Sequence, residues 1–174
     1  MTNAVLLASA ITSNGNLNLT TSNAGIVFNN SSALTNSTLN DYETGTWTPV
    51  VTRTSTAPTV TYSFQVGNYT KVGNLVYIFG SLSWTANTGG TGNFIVAGLP
   101  FTASAGTHTY PQIMCNDLTS GFSWGTGNTQ VGFEISPNTT SMSILGSGTA
   151  VNSTALSFPS VASIYFSGTY QATF

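Results

Sequence analysis

The sequence predicts an all-β protein: an antiparallel β-sandwich head, jelly-roll-like, carried by an extended β N-terminal arm. Three observations carry that expectation. From Val50 onward apolar side chains recur with period two in short runs, and Gly, Pro and Asn punctuate those runs. No long stripe of helical period interrupts them. Ser, Thr and Asn supply about two residues in five, and their hydroxyls and amides suit turns and strand faces better than helix interiors.

The elements follow in chain order. Residues 1–40 form the arm. Ala4, Leu7, Ala8 and Ile11 would share a helix face, yet Leu17 with Leu19, and Ile26 with Phe28, alternate as strands do. Gly15 and Gly25 separate these pieces. Such short strands cannot bury a core within one chain, whereas three intertwined chains can, so the arm is expected to be a trimeric β shaft or a segment docked on another protein. Val5, Leu7, Ile11, Leu17, Leu19, Ile26 and Phe28 are its candidate docking residues.

Residues 41–49 read as a hinge: Gly45 permits unusual backbone angles, Trp47 supplies an apolar plug, and Pro49 fixes its own φ and removes an N–H. Residues 50–174 are the head. Its expected strands are Val50–Arg53, Thr59–Phe64, Gly67–Val72, Leu75–Trp84, Gly92–Val96, Gln112–Leu118, Gln130–Ile135, Ser141–Leu145, Ala155–Phe158 and Ala162–Phe174. Gly73-Asn74 signals a two-residue hairpin, and Val76, Ile78, Leu82 and Trp84 alternate onto one face. The last strand, with Ile164, Phe166, Tyr170 and Phe174 on compatible parities, is expected to run centrally in the sheet.

Charge bounds the function. Charged residues are 3% of the chain, against roughly a quarter in an ordinary soluble protein. Two cations, Arg53 and Lys71, cannot neutralise a phosphate track, so nucleic acid is not an expected partner. The same scarcity argues against polybasic membrane attachment. Residues 4–8 are too short an apolar run for a membrane span and lack the basic start of a signal peptide. Cys115 is the single cysteine, so no intrachain disulfide forms.

With Asp41 in front, the stretch Asp41-Tyr42-Glu43-Thr44-Gly45-Thr46-Trp47-Thr48-Pro49 resembles the D-Y-E-x-G-T-W-T-P signature found where a bacteriophage fibre shaft enters its C-terminal head. Tyr69-Thr70-Lys71-Val72-Gly73-Asn74-Leu75-Val76 resembles the first long hairpin of such heads. Gly98-Leu99-Pro100-Phe101 is similar to a mid-domain turn, and Gly168-Thr169-Tyr170 to the final strand. The resemblance implies a virion appendage assembled in the host cytoplasm, tail-borne or head-borne, usually a homotrimer. Asp41, Tyr42, Glu43, Gly45, Trp47 and Pro49 would then form the shaft-to-head junction.

Catalysis has little material. His108, Cys115 and Asp117 are the one available nucleophile set, with His108 read as a loop residue and Cys115 as a small core hydrophobe. Of the four carboxylates, Asp117 and Glu134 are the pair that adjacent strands would have to bring together for glycoside cleavage, which needs them roughly 5–9.5 Å apart. The favoured reading leaves them solvated or paired with Arg53 or Lys71. Asp41 and Glu43 around a threefold axis would offer oxygen ligands to Ca²⁺, but hydrogen bonding to backbone or a neighbour's Lys71 is preferred, and no metal or other cofactor is expected. Gly89-Gly90-Thr91-Gly92-Asn93 lacks the lysine of a phosphate loop and reads as a hairpin turn.

A polar, nearly uncharged surface carrying aromatics suits carbohydrate, whose hydroxyls want amide partners and whose C–H faces stack on rings. Phe122, Trp124 and Asn128 in one glycine-rich loop, with His108 and Tyr110 in another, are the candidate glycan-binding residues. Trp124 as a core plug is the competing reading. The expected function is non-catalytic attachment to host-surface polysaccharide; the alternative is a capsid or tail decoration protein gripping other virion proteins through its arm.

Overall fold

A computed structural model of the chain describes residues 26–27, 38–39, 41–106, 110–118, 126–148, 151–156 and 159–173. The chain divides into two compact units, Met1–Tyr42 and Glu43–Phe174. In the first, β1 (Ile26–Val27) and β2 (Thr38–Leu39) pair antiparallel, with Ile26 opposite Leu39. Of the candidate docking residues, Ile26 lies in β1; Val5, Leu7, Ile11, Leu17, Leu19 and Phe28 fall outside the described residues.

The second unit is all β, as expected. Its strands are β3 (Tyr42–Trp47, which begins one residue before the unit boundary), β4 (Val50–Arg53), β5 (Thr59–Val72), β6 (Leu75–Thr88), β7 (Phe94–Ala97), β8 (Gln112–Leu118), β9 (Gln130–Ile135), β10 (Ser141–Gly148), β11 (Val151–Ala155) and β12 (Ala162–Gln171). They form one ten-stranded sheet in the order β3-β5-β6-β12-β8-β9-β10-β7-β4, with β11 pairing β10. Strands β3 and β4 stand at opposite ends of that order, yet Thr48 and Pro49 alone join them. The sheet must therefore curl until its ends meet, and the layers of the sandwich are one sheet folded over.

Side chains from β5 complete the closure. Tyr62 Oη accepts a hydrogen bond from Val51 N–H at 2.7 Å and donates to Val51 C=O at 3.2 Å, while Gln65 Nε2 donates to Pro49 C=O at 2.8 Å. One phenol thus satisfies both backbone groups of an end-strand residue that would otherwise invite another chain. The register of β5 against β6 shifts on either side of Tyr62, the local bulge that re-aims such a side chain.

Between the folded-over layers lies the core. Val76, Ile78, Leu82 and Trp84 are all buried, as their alternation predicts. Trp84 on β6 meets Phe94 on β7 with centroids 6.1 Å apart, and Phe166 on β12 meets Trp47 at 6.1 Å and Phe133 at 5.2 Å. Strand β12 is central, flanked by β6 and β8.

Four details depart from expectation. Thr59–Phe64 and Gly67–Val72 are one strand, because Gly67 seats Trp47 instead of breaking the ladder: a Cβ there would lie 2.6 Å from the Trp47 carbonyl oxygen and from its indole nitrogen. The 41–49 stretch is mostly strand β3, and the boundary between the two compact units, after Tyr42, falls inside it. The glycine-rich 89–93 segment is not a hairpin turn but a crossover between layers, since β7 pairs β4 and β10 and not β6; positive φ at Gly89, Gly90 and Gly92 turns the corner. The strand expected at 155–158 instead ends at Ala155 and begins at Val151. Gly73, at φ 59°, opens the Val72–Leu75 hairpin as the first central residue of a type II′ turn.

Candidate functional site

The four sequence words converge on one cluster. On β3, Glu43, Gly45 and Trp47 share a face. The Tyr69 ring lies across Gly45, where a Cβ would come within 2.7 Å of it, and its hydroxyl donates to Glu43 Oε1 at 2.9 Å. Tyr69 also meets Phe101 edge-on, centroids 5.1 Å apart at 90°. The Lys71 ammonium sits 5.3 Å from the Phe101 centroid, a cation–π contact that helps to hold a lysine that is buried. From β12, Tyr170 Oη accepts from Phe101 N–H at 3.2 Å and donates to Phe101 C=O at 2.9 Å. Burial pushes the Tyr170 phenol up to about 12 despite that backbone contact. Every member of the cluster is engaged in holding the head's own elements together. Lys71, expected as a candidate partner for a carboxylate, is buried with its ammonium over an aromatic ring.

Two surface concavities among the described residues are candidate sites. The first, about 400 Å³, surrounds Tyr110, which is half-exposed among Leu75, Pro111, Ser104, Thr169 and Gln171. Of the five expected glycan-binding residues, Tyr110 is the one placed on such a surface. Phe122, Trp124 and His108 lie outside the described residues. Asn128 is half-buried, its amide packed where a Cβ on Gly146 would come within 2.5 Å, beside Leu156. It forms a wall there instead of presenting a free amide.

The second concavity, also about 400 Å³, lies on the outer face of β8, β9 and β10. Its shape follows from register. Gln112, Glu134 and Ser143 form one cross-strand row, Met114, Gly132 and Leu145 the next, and Gln130 with Ser147 a third. Phe133 and Ile135 point into the core, so the alternate residues Gln130, Gly132 and Glu134 face outward. Gln112 Nε2 donates to Glu134 Oε2 at 3.1 Å and to Tyr110 C=O at 3.4 Å. Gly132 makes the floor. Among the described residues a Cβ there would meet just the Ile113 carbonyl oxygen, at an ordinary 3.6 Å, and its φ is not positive. Neither packing nor backbone requires glycine at this position, where it weakens a strand by roughly 0.5–1 kcal/mol relative to alanine. Sequence reading missed this site because its walls belong to three strands.

The same register separates the two candidate carboxylates. Glu134 stands opposite Gln112, five residues before Asp117 on β8, which puts the two carboxylates roughly 16 Å apart along the strand at ~3.3 Å per residue. Cys115 packs against the core, its Sγ donates to Asp117 C=O at 3.7 Å, and burial pushes its thiol up to about 11, so it is a protonated hydrophobe at neutral pH. Among the described residues no group of three or more His, Cys, Asp or Glu side chains is placed to hold a metal.

No family model matches the chain, and no curated protein matches it. Among solved structures it is similar to the crystal structure of the Dettilon tailspike protein, with a TM-score of 0.61 and 16% identity over 76% of this chain. That match covers 24% of the tailspike, so the chain spans about a quarter of its length. At this identity the likeness is one of fold.

Proposed function

We propose that the chain is a bacteriophage tail structural protein that attaches the virion to host-surface polysaccharide without catalysis. The observation that carries the reading is the likeness of its curled sheet to part of a phage tailspike, over three-quarters of this chain. The surface fits the task. It is nearly uncharged and rich in hydroxyls and amides, and Tyr110 offers a half-exposed ring beside Leu75 and Pro111. Residues 1–40 mount the head on other virion proteins, and three chains associate. Trimerisation presents each weak sugar site three times, which raises avidity by about 10²-fold or more with no new contact.

The test is position on intact particles, using a labelled antibody against residues 50–174. Label at the tips of tail appendages supports attachment. Label spread over the capsid overturns the tail reading in favour of decoration. Light scattering of the purified full chain checks the trimer independently.

A further inference from the structure

We infer that the trough floored by Gly132 is a saccharide site, taking one or two rings of a neutral glycan. This rests on the attachment reading and moves its contact surface away from the aromatic loops. The trough has the layout that a sugar ring needs: an apolar middle between polar ends. Met114, 70% exposed, and Leu145 flank bare backbone at Gly132, so the C–H face of a ring can lie flat on the sheet. At one end Glu134 accepts from the Gln112 amide and keeps acceptor capacity for a pair of vicinal hydroxyls. At the other end Gln130 and Ser147, paired across β9 and β10, supply an amide and a hydroxyl.

Charge selects the class of sugar. Among the described residues Glu134 is the sole ionisable side chain lining the trough, so its carboxylate repels uronic and sialic acids and accepts from neutral hydroxyls. A volume of about 400 Å³ falls within the usual range for small-ligand sites. Glycine is the residue that keeps this space open. A Cβ at 132 meets no described atom nearer than 3.6 Å, so a larger side chain there extends into the trough.

The experiment uses the full chain on an array of neutral and uronic-acid-containing oligosaccharides of two to four units, beside adhesion to host cells. Wild type is expected to bind neutral oligosaccharides. Gly132→Val loses at least tenfold while melting no lower than wild type, and Glu134→Gln loses severalfold. If Gly132→Val fails to fold, Glu134→Gln, an outward-facing change, decides alone. Neutral binding that survives Gly132→Val or Glu134→Gln overturns the trough and leaves the attachment reading intact. Preference for acidic sugars overturns it too, as does adhesion to cells without binding to any oligosaccharide. Absence of both adhesion and sugar binding overturns the trough and the attachment reading together.

Discussion

Glycine plays opposite parts in two regions of this sheet. On β3, β5 and β6, Gly45, Gly67 and Gly80 each lie beneath an aromatic ring, of Tyr69, Trp47 and Phe166 respectively, and the missing Cβ is space that the protein itself has filled. On β9, Gly132 lies beneath nothing among the described residues that its Cβ would strike, and the space above it forms the trough. In the first region glycine is a condition of folding. In the second the fold pays for an opening it does not use, which is the physical sign of a surface shaped for something else.

The contrast breaks if glycine proves replaceable in the first region. Of these three seats, Gly80→Ala should be the most damaging, because its Cβ would be driven into the Phe166 ring, itself locked between Trp47 and Phe133. Overpacking of this kind costs about 3 kcal/mol. Urea denaturation should show a lower midpoint with an unchanged slope. Gly67→Ala follows at about 2 kcal/mol, since the Trp47 backbone oxygen cannot rotate away as a side chain can.

Tyr170→Phe tests the cluster by a different route. The change removes both hydrogen bonds to the Phe101 backbone and should cost about 2 kcal/mol at pH 8. The pH dependence gives it a signature. The folded pKa, about 12, lies above the ordinary 10, so the stabilisation is fully present below pH 10 and is lost as pH rises through 12. Two units correspond to about 3 kcal/mol. Phenylalanine cannot ionise, so the wild-type and variant stabilities should converge between pH 10 and 12, as measured by denaturant titration at each pH. Cys115, raised from 9 to about 11, adds an alkaline slope between pH 9 and 11 that both proteins share. Parallel curves across pH 10–12 would mean that Tyr170 is not held as a buried phenol.

What the sequence disclosed follows the same division. Local signals were enough for β8 and β9, whose bounds agree with the period-two runs, and for the Gly73-Asn74 hairpin. The buried row from Val76 to Trp84 and the central place of β12 were also legible, because alternation and length are properties of one strand. Glu43, Tyr69, Phe101 and Tyr170 stand in four separated stretches. Each was recognisable as part of a word, but their meeting depends on the sheet curling until β3 and β4 join, which no local pattern encodes. The strand within 41–49 was hidden for a related reason: Gly45 and Trp47 look like breakers until Tyr69 and Gly67 are seen to complete them. The trough was least legible of all. In sequence, Gly132 is a weak point in a strand; it becomes a floor when register sets Met114 and Leu145 on either side.

The smallest expected effect is therefore the most discriminating. Gly132→Ala adds one methyl to a strand position whose backbone is ordinary and whose nearest neighbour is at van der Waals distance. It removes the entropic cost of glycine in the unfolded chain, so the head should gain roughly 0.5–1 kcal/mol, seen as a higher thermal midpoint. Set beside Gly80→Ala, the same chemical change at two interior strand glycines should have opposite signs. A loss at Gly132 comparable to that at Gly80 would place both residues in one class, as seats for packing, and the open floor of the trough would then be a by-product of strand geometry. A gain means that the fold tolerates more than it uses there, and that what keeps the position empty lies outside the fold.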